Sequence, residues 1–333
     1  MNGHARTAFV TIVALLGAGL SGCNAPSSPT ALSPGSLANP QPFASPAARP
    51  LDGRKPHGWM KPGATLERLI YVADGNSVLI YPERGHNRSP VGEIADGVSS
   101  AYGLWIDSSA DLYVANSGSN TVVAYHRGST TPFRTYSAGL SRPLYPIVDS
   151  SGDLWVGNAN NGRIVEYRHG RTTIERTLQT EGSEVDGMDF DTQGNLYAAY
   201  RGGGQSPSIE EFSSNGWGGK VLGMTLNAPQ SVIVTKGGTI LVVETQGTDR
   251  IDVFPPGDTI PTLEVGVKNI PTQLAITSSE QNLYVSSLNT GDIWVSPYPL
   301  LNPNGSPNVL HEKFQVGGDY VVQGIALNNG QTF

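Results

Sequence analysis

The sequence repeats a pattern six times with a nearly constant period. Each copy contains a hydrophobic segment of the type LYVAN, and these segments begin at Ile70, Leu112, Leu154, Leu196, Ile240 and Leu283. Successive starts differ by 42, 42, 42, 44 and 43 residues. A fixed period of this length indicates that one supersecondary unit is repeated, with each copy packing on its neighbours.

Four β-strands are predicted in every copy, always in the same order. A first strand such as GLWID or SVIVT leads through a turn such as SSGD into the LYVAN-like second strand. The third strand alternates between apolar and polar residues and ends near an aromatic residue, and a weaker fourth strand such as PFRTYS follows. Four strands in one repeat of this length predict a propeller blade, and hence an all-β fold, a six-bladed β-propeller.

The two ends of the repeat region predict how the ring closes. The first blade begins at its second strand near Leu69, and the last copy of a first strand, Gly324 to Asn328, has no complete blade after it. We therefore expect the C-terminal strand to complete the first blade, which removes open sheet edges. The predicted propeller covers residues 66–333.

The repeat D-x-x-G-[DN]-L-[YW]-V-[AG]-N, followed by [IV]-x-x-[YF], resembles the NHL family of six-bladed propellers and related exported bacterial proteins with YVAN repeats. The resemblance implies a platform for ligands or proteins, and occasionally an enzyme. It does not choose among these functions, since one fold supports many.

The N-terminus predicts export and lipid attachment. A basic first segment and an apolar run from Thr7 to Leu20 precede Leu20-Ser21-Gly22-Cys23, in which Cys23 is the one cysteine of the chain. These four residues resemble the lipobox of bacterial lipoproteins, which implies a signal peptide over 1–22 and lipidation of Cys23. An ordinary secretory signal is the alternative.

Residues 23–65 are rich in Pro, Ser and Ala and predict a disordered tether that links the lipid to the propeller. We expect an extracytoplasmic protein of the bacterial cell envelope, anchored to a membrane through its N-terminal lipid. Asn24 after Cys23 favours the outer membrane if the cell has two membranes.

The charge distribution limits the class of partner. The formal net charge is −7 and no basic cluster occurs along the sequence. This argues against nucleic acid, and against an anionic membrane surface as the main partner.

The mouth of the central channel is the predicted binding face, because loops from all six blades meet there. The residues just before the first strands, together with residues that end second strands, give the predicted ligand-binding face: Tyr102, Tyr145, Asp186, Arg201, Gln230, Glu244 and Gln323.

Asp186 suggests an alternative function. The segment VDGMDF resembles the gluconolactonase and regucalcin family, propellers that hydrolyse sugar lactones with a divalent cation in the channel. The resemblance implies that Asp186 is a metal ligand and the catalytic base, with Glu244 and Asn158 as further ligands of Ca²⁺ or another divalent cation. At three of the four ligand positions of that family, however, this chain has Gln323, Tyr102 and Tyr145.

The leading hypothesis is therefore a non-enzymatic propeller without a cofactor that binds a protein, peptide or glycan. The alternative is a cation-dependent hydrolase of the lactonase type. Departures from the repeat are further candidates for binding: the insertion at Arg201 to Pro207, Trp217 in a glycine-rich loop, and Pro297 to Val309. His311 and Glu312 are predicted to be a solvated surface pair, and Asp107, Asp149 and Asp191 to be turn residues rather than calcium ligands.

Overall fold

The computed structural model of this protein describes residues 58–245, 247–301, 305–316 and 322–328. The described residues form six antiparallel sheets, one for each repeat. The predicted signal peptide, Cys23 and nearly all of the predicted tether lie outside these residues. The six-bladed β-propeller is confirmed. No helix within the described ranges has the length and apolar character needed to cross a membrane.

The strands follow one another in chain order from blade to blade. Blade 1 contains β1 (Trp59–Met60), a short 3-10 helix (Ala64–Leu66), β2 (Leu69–Asp74), β3 (Ser77–Pro82) and β4 (Gly92–Ile94). Blade 2 contains β5 (Ala101–Ile106), β6 (Leu112–Asn116), β7 (Thr121–Tyr125) and β8 (Arg134–Tyr136). Blade 3 contains β9 (Pro143–Val148), β10 (Leu154–Asn158), β11 (Arg163–Tyr167) and β12 (Ile174–Gln179).

The second half of the ring has the same order. Blade 4 contains β13 (Glu184–Phe190), β14 (Leu196–Arg201), β15 (Ser208–Phe212) and β16 (Gly219–Val221). Blade 5 contains β17 (Pro229–Val234), β18 (Ile240–Glu244), β19 (Arg250–Phe254) and β20 (Leu263–Gly266). Blade 6 contains β21 (Pro271–Ile276), β22 (Asn282–Ser287), β23 (Asp292–Pro297) and β24 (His311–Gln315), and β25 (Val322–Leu327) follows it.

The C-terminal strand closes the ring as predicted. β25 is the innermost strand of blade 1 and pairs with β2 in antiparallel register, with Ile70 opposite Leu327 and Val72 opposite Ile325. At the outer edge of the same sheet, β1 pairs with β4 through Trp59 and Glu93. The sheet thus begins at Trp59, upstream of the predicted propeller boundary at residue 66.

The aspartates that end the first strands organise the hairpins, as the turn interpretation predicts. Asp149 Oδ1 accepts hydrogen bonds from the backbone N–H groups of Ser151 and Asp153, each at 2.9 Å, and Gly152 has the left-handed φ of 84° that the turn requires. Asp107 and Asp191 make the equivalent pairs of bonds in their own blades. These carboxylates are therefore turn residues.

The recurring aromatic side chains pack between neighbouring blades. Tyr81 of blade 1 stacks on Phe314 of blade 6 with 4.2 Å between ring centroids, and Tyr136 of blade 2 lies 5.1 Å from Tyr167 of blade 3. Such contacts fill the wedge between two twisted sheets, which explains why one aromatic residue recurs in each repeat.

Candidate binding surfaces around the propeller

The seven residues of the predicted ligand-binding face are all buried. Two pairs among them are hydrogen bonded to each other, Tyr102 with Gln230 and Asp186 with Arg201. Tyr102 donates a hydrogen bond from its hydroxyl to Gln230 Oε1 at 3.1 Å, which links blade 2 to blade 5. The hydroxyls of Tyr145 and Ser231 are hydrogen bonded at 3.1 Å, which links blade 3 to blade 5.

A glutamine from blade 6 adds further bonds across the channel. Gln273 donates from Nε2 to the Leu104 carbonyl at 2.9 Å, and its Oε1 accepts from Ile325 N at 3.0 Å. Gln273 therefore ties blade 6 to blades 1 and 2. These side chains form a hydrogen-bonded assembly that closes the channel mouth to solvent, since each of them is at most 5% exposed.

Asp186 forms an ion pair with Arg201 inside this assembly. The guanidinium is bidentate, with Nε 2.9 Å from Asp186 Oδ2 and Nη2 3.0 Å from Oδ1, and the two residues are 0% and 1% exposed. The backbone explains the geometry: the register of β13 against β14 shifts between Val185 and Gly187, so Asp186 sits at the irregular position beside the end of β14.

A second ion pair extends this cluster toward blade 3. Glu184 Oε2 lies 3.2 Å from Arg201 Nε, and Glu184 Oε1 lies 3.5 Å from Arg142 Nη1. Burial raises the pKa of the Asp186 carboxyl, and the neighbouring Arg201 opposes that rise. Two carboxylates and two guanidinium groups thus share one largely buried network.

The residues that end the second strands brace the loops above the channel. Asn158 Oδ1 accepts the Ser141 N–H at 2.9 Å, and Asn116 Oδ1 accepts the Ser99 N–H at 3.0 Å. In blade 5 Glu244 Oε2 has the same role and accepts the Ala228 N–H at 2.8 Å. In blade 4 Tyr200 occupies the equivalent position, and Arg201, the next residue along β14, binds Asp186.

The three candidate metal ligands do not fit a hard cation. Both oxygens of Asp186 are held by a guanidinium group, whose positive charge would repel a metal ion, and Asn158 and Glu244 each bind a loop of their own blade. Within the part of the chain that the structure describes, no group of three or more His, Cys, Asp or Glu side chains is placed to hold a metal ion.

The loops around the closed mouth present small polar side chains to solvent. Exposed residues on the connections between second and third strands include Ser119, Asn120, Asn160, Gln205 and Asn289. The insertion after Arg201 is part of this surface: Gly202, Gly203 and Gly204 all have left-handed φ angles, of 75°, 70° and 80°. Arg201 itself ends β14 and points into the channel.

A cavity of about 450 Å³ lies between blades 4 and 5, at the opposite end of the strands. Tyr197, Glu211 and Lys220 line one wall, and the β19–β20 connection from Pro256 to Thr259 lines another. Leu222, Met224, Val234 and Ile240 supply apolar lining. The repeat gives no sign of this cavity, because the residues of its wall follow the ordinary pattern.

A basic groove of about 720 Å³ lies on blade 1, beside the β3–β4 connection. Four cationic side chains line it together with Glu67 and the apolar Leu66, which is 89% exposed: Lys61, Arg68, Arg84 and Arg88. The sequence contains no basic cluster because these cations come from three segments, with only Arg84 and Arg88 in the same connection, and the fold of blade 1 brings the three together.

The other departures from the repeat have structural contacts. Trp217 is half-buried against Trp155, with 4.5 Å between ring centroids. From the insertion after β23, Leu300 is buried in the core of blades 5 and 6. His311 and Glu312 are exposed on β24, as the prediction of a surface pair requires.

Neither a protein-family model nor a curated protein sequence matches this chain. Solved structures do: a chain of the crystal structure of a nidogen/laminin complex has a TM-score of 0.66 at 16% identity, covering 78% of this chain and 98% of that chain. The β-propeller domain of Cps50 (Swd1) from Myceliophteria thermophila gives 0.49 at 15% identity, covering 70% of this chain and 74% of the other. The first likeness, with the six sheets, defines the protein as a six-bladed β-propeller.

Proposed function

We propose that this propeller is an extracytoplasmic binding platform that holds a protein, peptide or glycan on the loops around its channel mouth. The observation that carries the proposal is the closure of the mouth by Tyr102, Tyr145 and the Asp186–Arg201 pair. A partner then binds across the loops, because the Tyr102 and Tyr145 hydroxyls and the Asp186 carboxylate below them are buried and already hydrogen bonded. The buried residues act by holding these loops in place.

The loop surface suits this role. Its exposed Ser, Asn and Gln side chains offer hydrogen-bond donors and acceptors, and bonds such as that between Asn158 and the Ser141 N–H fix the loop backbones beneath them. Binding to a surface that is already ordered loses less conformational entropy. The alternative of a lactonase-type hydrolase is disfavoured, because Asp186, Glu244 and Asn158 do not provide a converging set of metal ligands.

The proposal includes a membrane anchor. Cys23 in Leu-Ser-Gly-Cys supports lipidation after removal of residues 1–22, and the repeat motif supports kinship with the NHL type of propeller. The protein would belong to the bacterial cell envelope, at the outer membrane in a cell with two membranes. Exposed Leu66 within the basic groove of blade 1 fits an orientation in which that groove faces the anionic membrane surface.

Site-specific photo-cross-linking in intact cells tests the platform. A photoreactive residue placed at Asn160 or Gln205 lies on the loop surface, whereas one placed at Ser108 or Ser150 lies on the exposed hairpins at the other end of the strands. We expect a discrete cross-linked species from the two loop positions only. Equal cross-linking from both ends, or cross-linking from the hairpins alone, would show that the binding face is elsewhere.

A further inference from the structure

Blades 3 and 4 carry the same row of side chains across three strands. In blade 3, Trp155 of β10 lies opposite Glu166 of β11, which lies opposite Arg176 of β12. In blade 4 the row consists of Tyr197 on β14, Glu211 on β15 and Lys220 on β16. Each row presents an aromatic ring, a carboxylate and a cation on one face of its sheet.

In blade 3 an indole ring covers this row. Trp217 reaches back from the β15–β16 connection of blade 4, and its ring centroid lies 4.5 Å from that of Trp155. The Arg176 guanidinium lies 5.0 Å from the Trp217 centroid, within the range of a cation–π contact. The row in blade 3 thus has an occupant supplied by the chain itself, and that occupant is a planar aromatic ring.

In blade 4 the corresponding space is the cavity between blades 4 and 5. The β19–β20 connection, which is equivalent to the segment that carries Trp217, contributes Pro256, Gly257, Asp258 and Thr259 to the wall and no aromatic ring. Tyr197 is consequently half-buried, whereas Trp155 is 0% exposed. A volume of about 450 Å³ next to Tyr197 is ample for an indole ring.

We infer that the cavity between blades 4 and 5 binds a planar aromatic ring, the tryptophan side chain of a partner polypeptide, in the way that blade 3 binds Trp217. The ring stacks on Tyr197, and the Lys220 ammonium lies over its face as Arg176 lies over Trp217. Leu222 and Ile240 contribute apolar contact in the same cavity. This inference rests on the proposed function in one respect, namely that the aromatic ring belongs to a polypeptide bound by the platform.

The test uses the full chain and N-acetyl-tryptophanamide as the probe, with binding followed by ligand-observed NMR and calorimetry. We expect one site per chain, with a dissociation constant on the order of 0.1–1 mM for so small a ligand. Tyr197→Ala should weaken binding at least about tenfold, a loss typical of removing a stacking partner and its apolar contacts. Unchanged affinity in this variant overturns the inference.

Two further variants keep the test decisive if Tyr197→Ala does not fold. Thr259→Trp places an indole in the equivalent connection, at a residue that lines the cavity, and should abolish binding by filling it. Trp217→Ala uncovers the row in blade 3 and should raise the number of binding sites from one to two. Two results together would overturn the inference: the Trp217→Ala chain binds the probe only in blade 3, and Thr259→Trp does not change probe binding.

Other probes decide the chemical class and separate this inference from the proposed function. N-acetyl-leucinamide and methyl glucoside should not bind; equal binding of either shows an unselective cavity and contradicts an aromatic site. If free indole binds at least as tightly as N-acetyl-tryptophanamide, the ligand is a small aromatic compound. This result would contradict the proposal that a partner polypeptide supplies the ring. If the probe does not bind while Asn160 and Gln205 still cross-link a partner, the inference fails and the platform stands.

Discussion

Two residues of one blade explain each other's departure from the repeat. Asp186 is the one carboxylate among the residues predicted to precede the first strands, and the structure places it inside β13. The second strand of blade 4 ends one residue later than those of blades 2, 3 and 5, in Arg201 where they end in Asn or Glu. In the structure Asp186 and Arg201 form a bidentate, fully buried ion pair. The residue that resembles a catalytic base is therefore the buried counter-ion of an arginine at the channel mouth.

Breaking this pair from one side should be costly. Arg201→Met leaves the Asp186 carboxylate without its bidentate partner in a buried site, so we expect the free energy of unfolding to fall by about 3–5 kcal/mol. The double variant Asp186→Leu with Arg201→Met removes both charges and should recover most of that loss. Urea denaturation of the two variants and the wild type measures the difference, and equal losses in the single and double variants would contradict the expectation.

The sequence alone identified Asp186 as exceptional but not its partner. The signal was present, because both departures fall within the same repeat, at the facing ends of two strands that pair directly. The sequence does not reveal that the residues of the predicted binding face are buried. It places Tyr102 and Tyr145 at the channel mouth, but it does not show that their hydroxyls form hydrogen bonds across the channel. Those bonds join blades 2 and 3 to blade 5, so no local pattern encodes them.

The repeat predicts most of the strand arrangement of the propeller. The order of four strands per blade, the hairpin aspartates and the closing role of β25 follow from a period that six copies reinforce. β1 was not predicted, because a strand of two residues has no periodicity to detect. The sequence correctly places Trp217 in a loop but does not reveal its contact with Trp155, because that contact joins two blades and depends on the geometry of their interface.

Removal of β25 should open the ring. A chain that ends before Val322 leaves the inner edge of β2 without the partner that Ile325 and Leu327 provide, and this apolar edge is then free to pair with other chains. We expect loss of cooperative unfolding and formation of aggregates, seen by circular dichroism and size-exclusion chromatography. A chain that ends after Asn328 retains β25 and is the matched control; if both chains are monomeric and equally stable, closure by β25 is dispensable.

The two ends of the strands have different surfaces across the propeller. The loop end around the channel mouth is polar and lies above a closed channel, whereas the basic groove of blade 1 and the cavity between blades 4 and 5 lie toward the hairpin end. Blades 1 and 4 are on opposite sides of a six-bladed ring. A propeller that rests against a membrane through blade 1 therefore leaves the loop surface and the cavity accessible to partners.

The orientation proposed here predicts binding to anionic lipid even without the acyl anchor. Full chain carrying Cys23→Ser should sediment with vesicles of equal parts phosphatidylcholine and phosphatidylglycerol more than with phosphatidylcholine vesicles, and salt should reduce the difference. Each cation near an anionic surface contributes about 1 kcal/mol, so each lost charge weakens binding about fivefold. Arg84→Gln with Arg88→Gln should lower partitioning about 25-fold.

The control for this experiment is Arg163→Gln with Lys268→Gln, which removes the same charge from exposed side chains on blade 3 and before blade 6. If long-range attraction alone draws the protein to the vesicles, both double variants lose binding equally, because they carry the same net charge. If the groove itself contacts the lipid headgroups, only the blade 1 variant loses it. Inorganic phosphate that displaces the wild type better than chloride at equal ionic strength would instead identify a phosphate site, and the proposed orientation would fail.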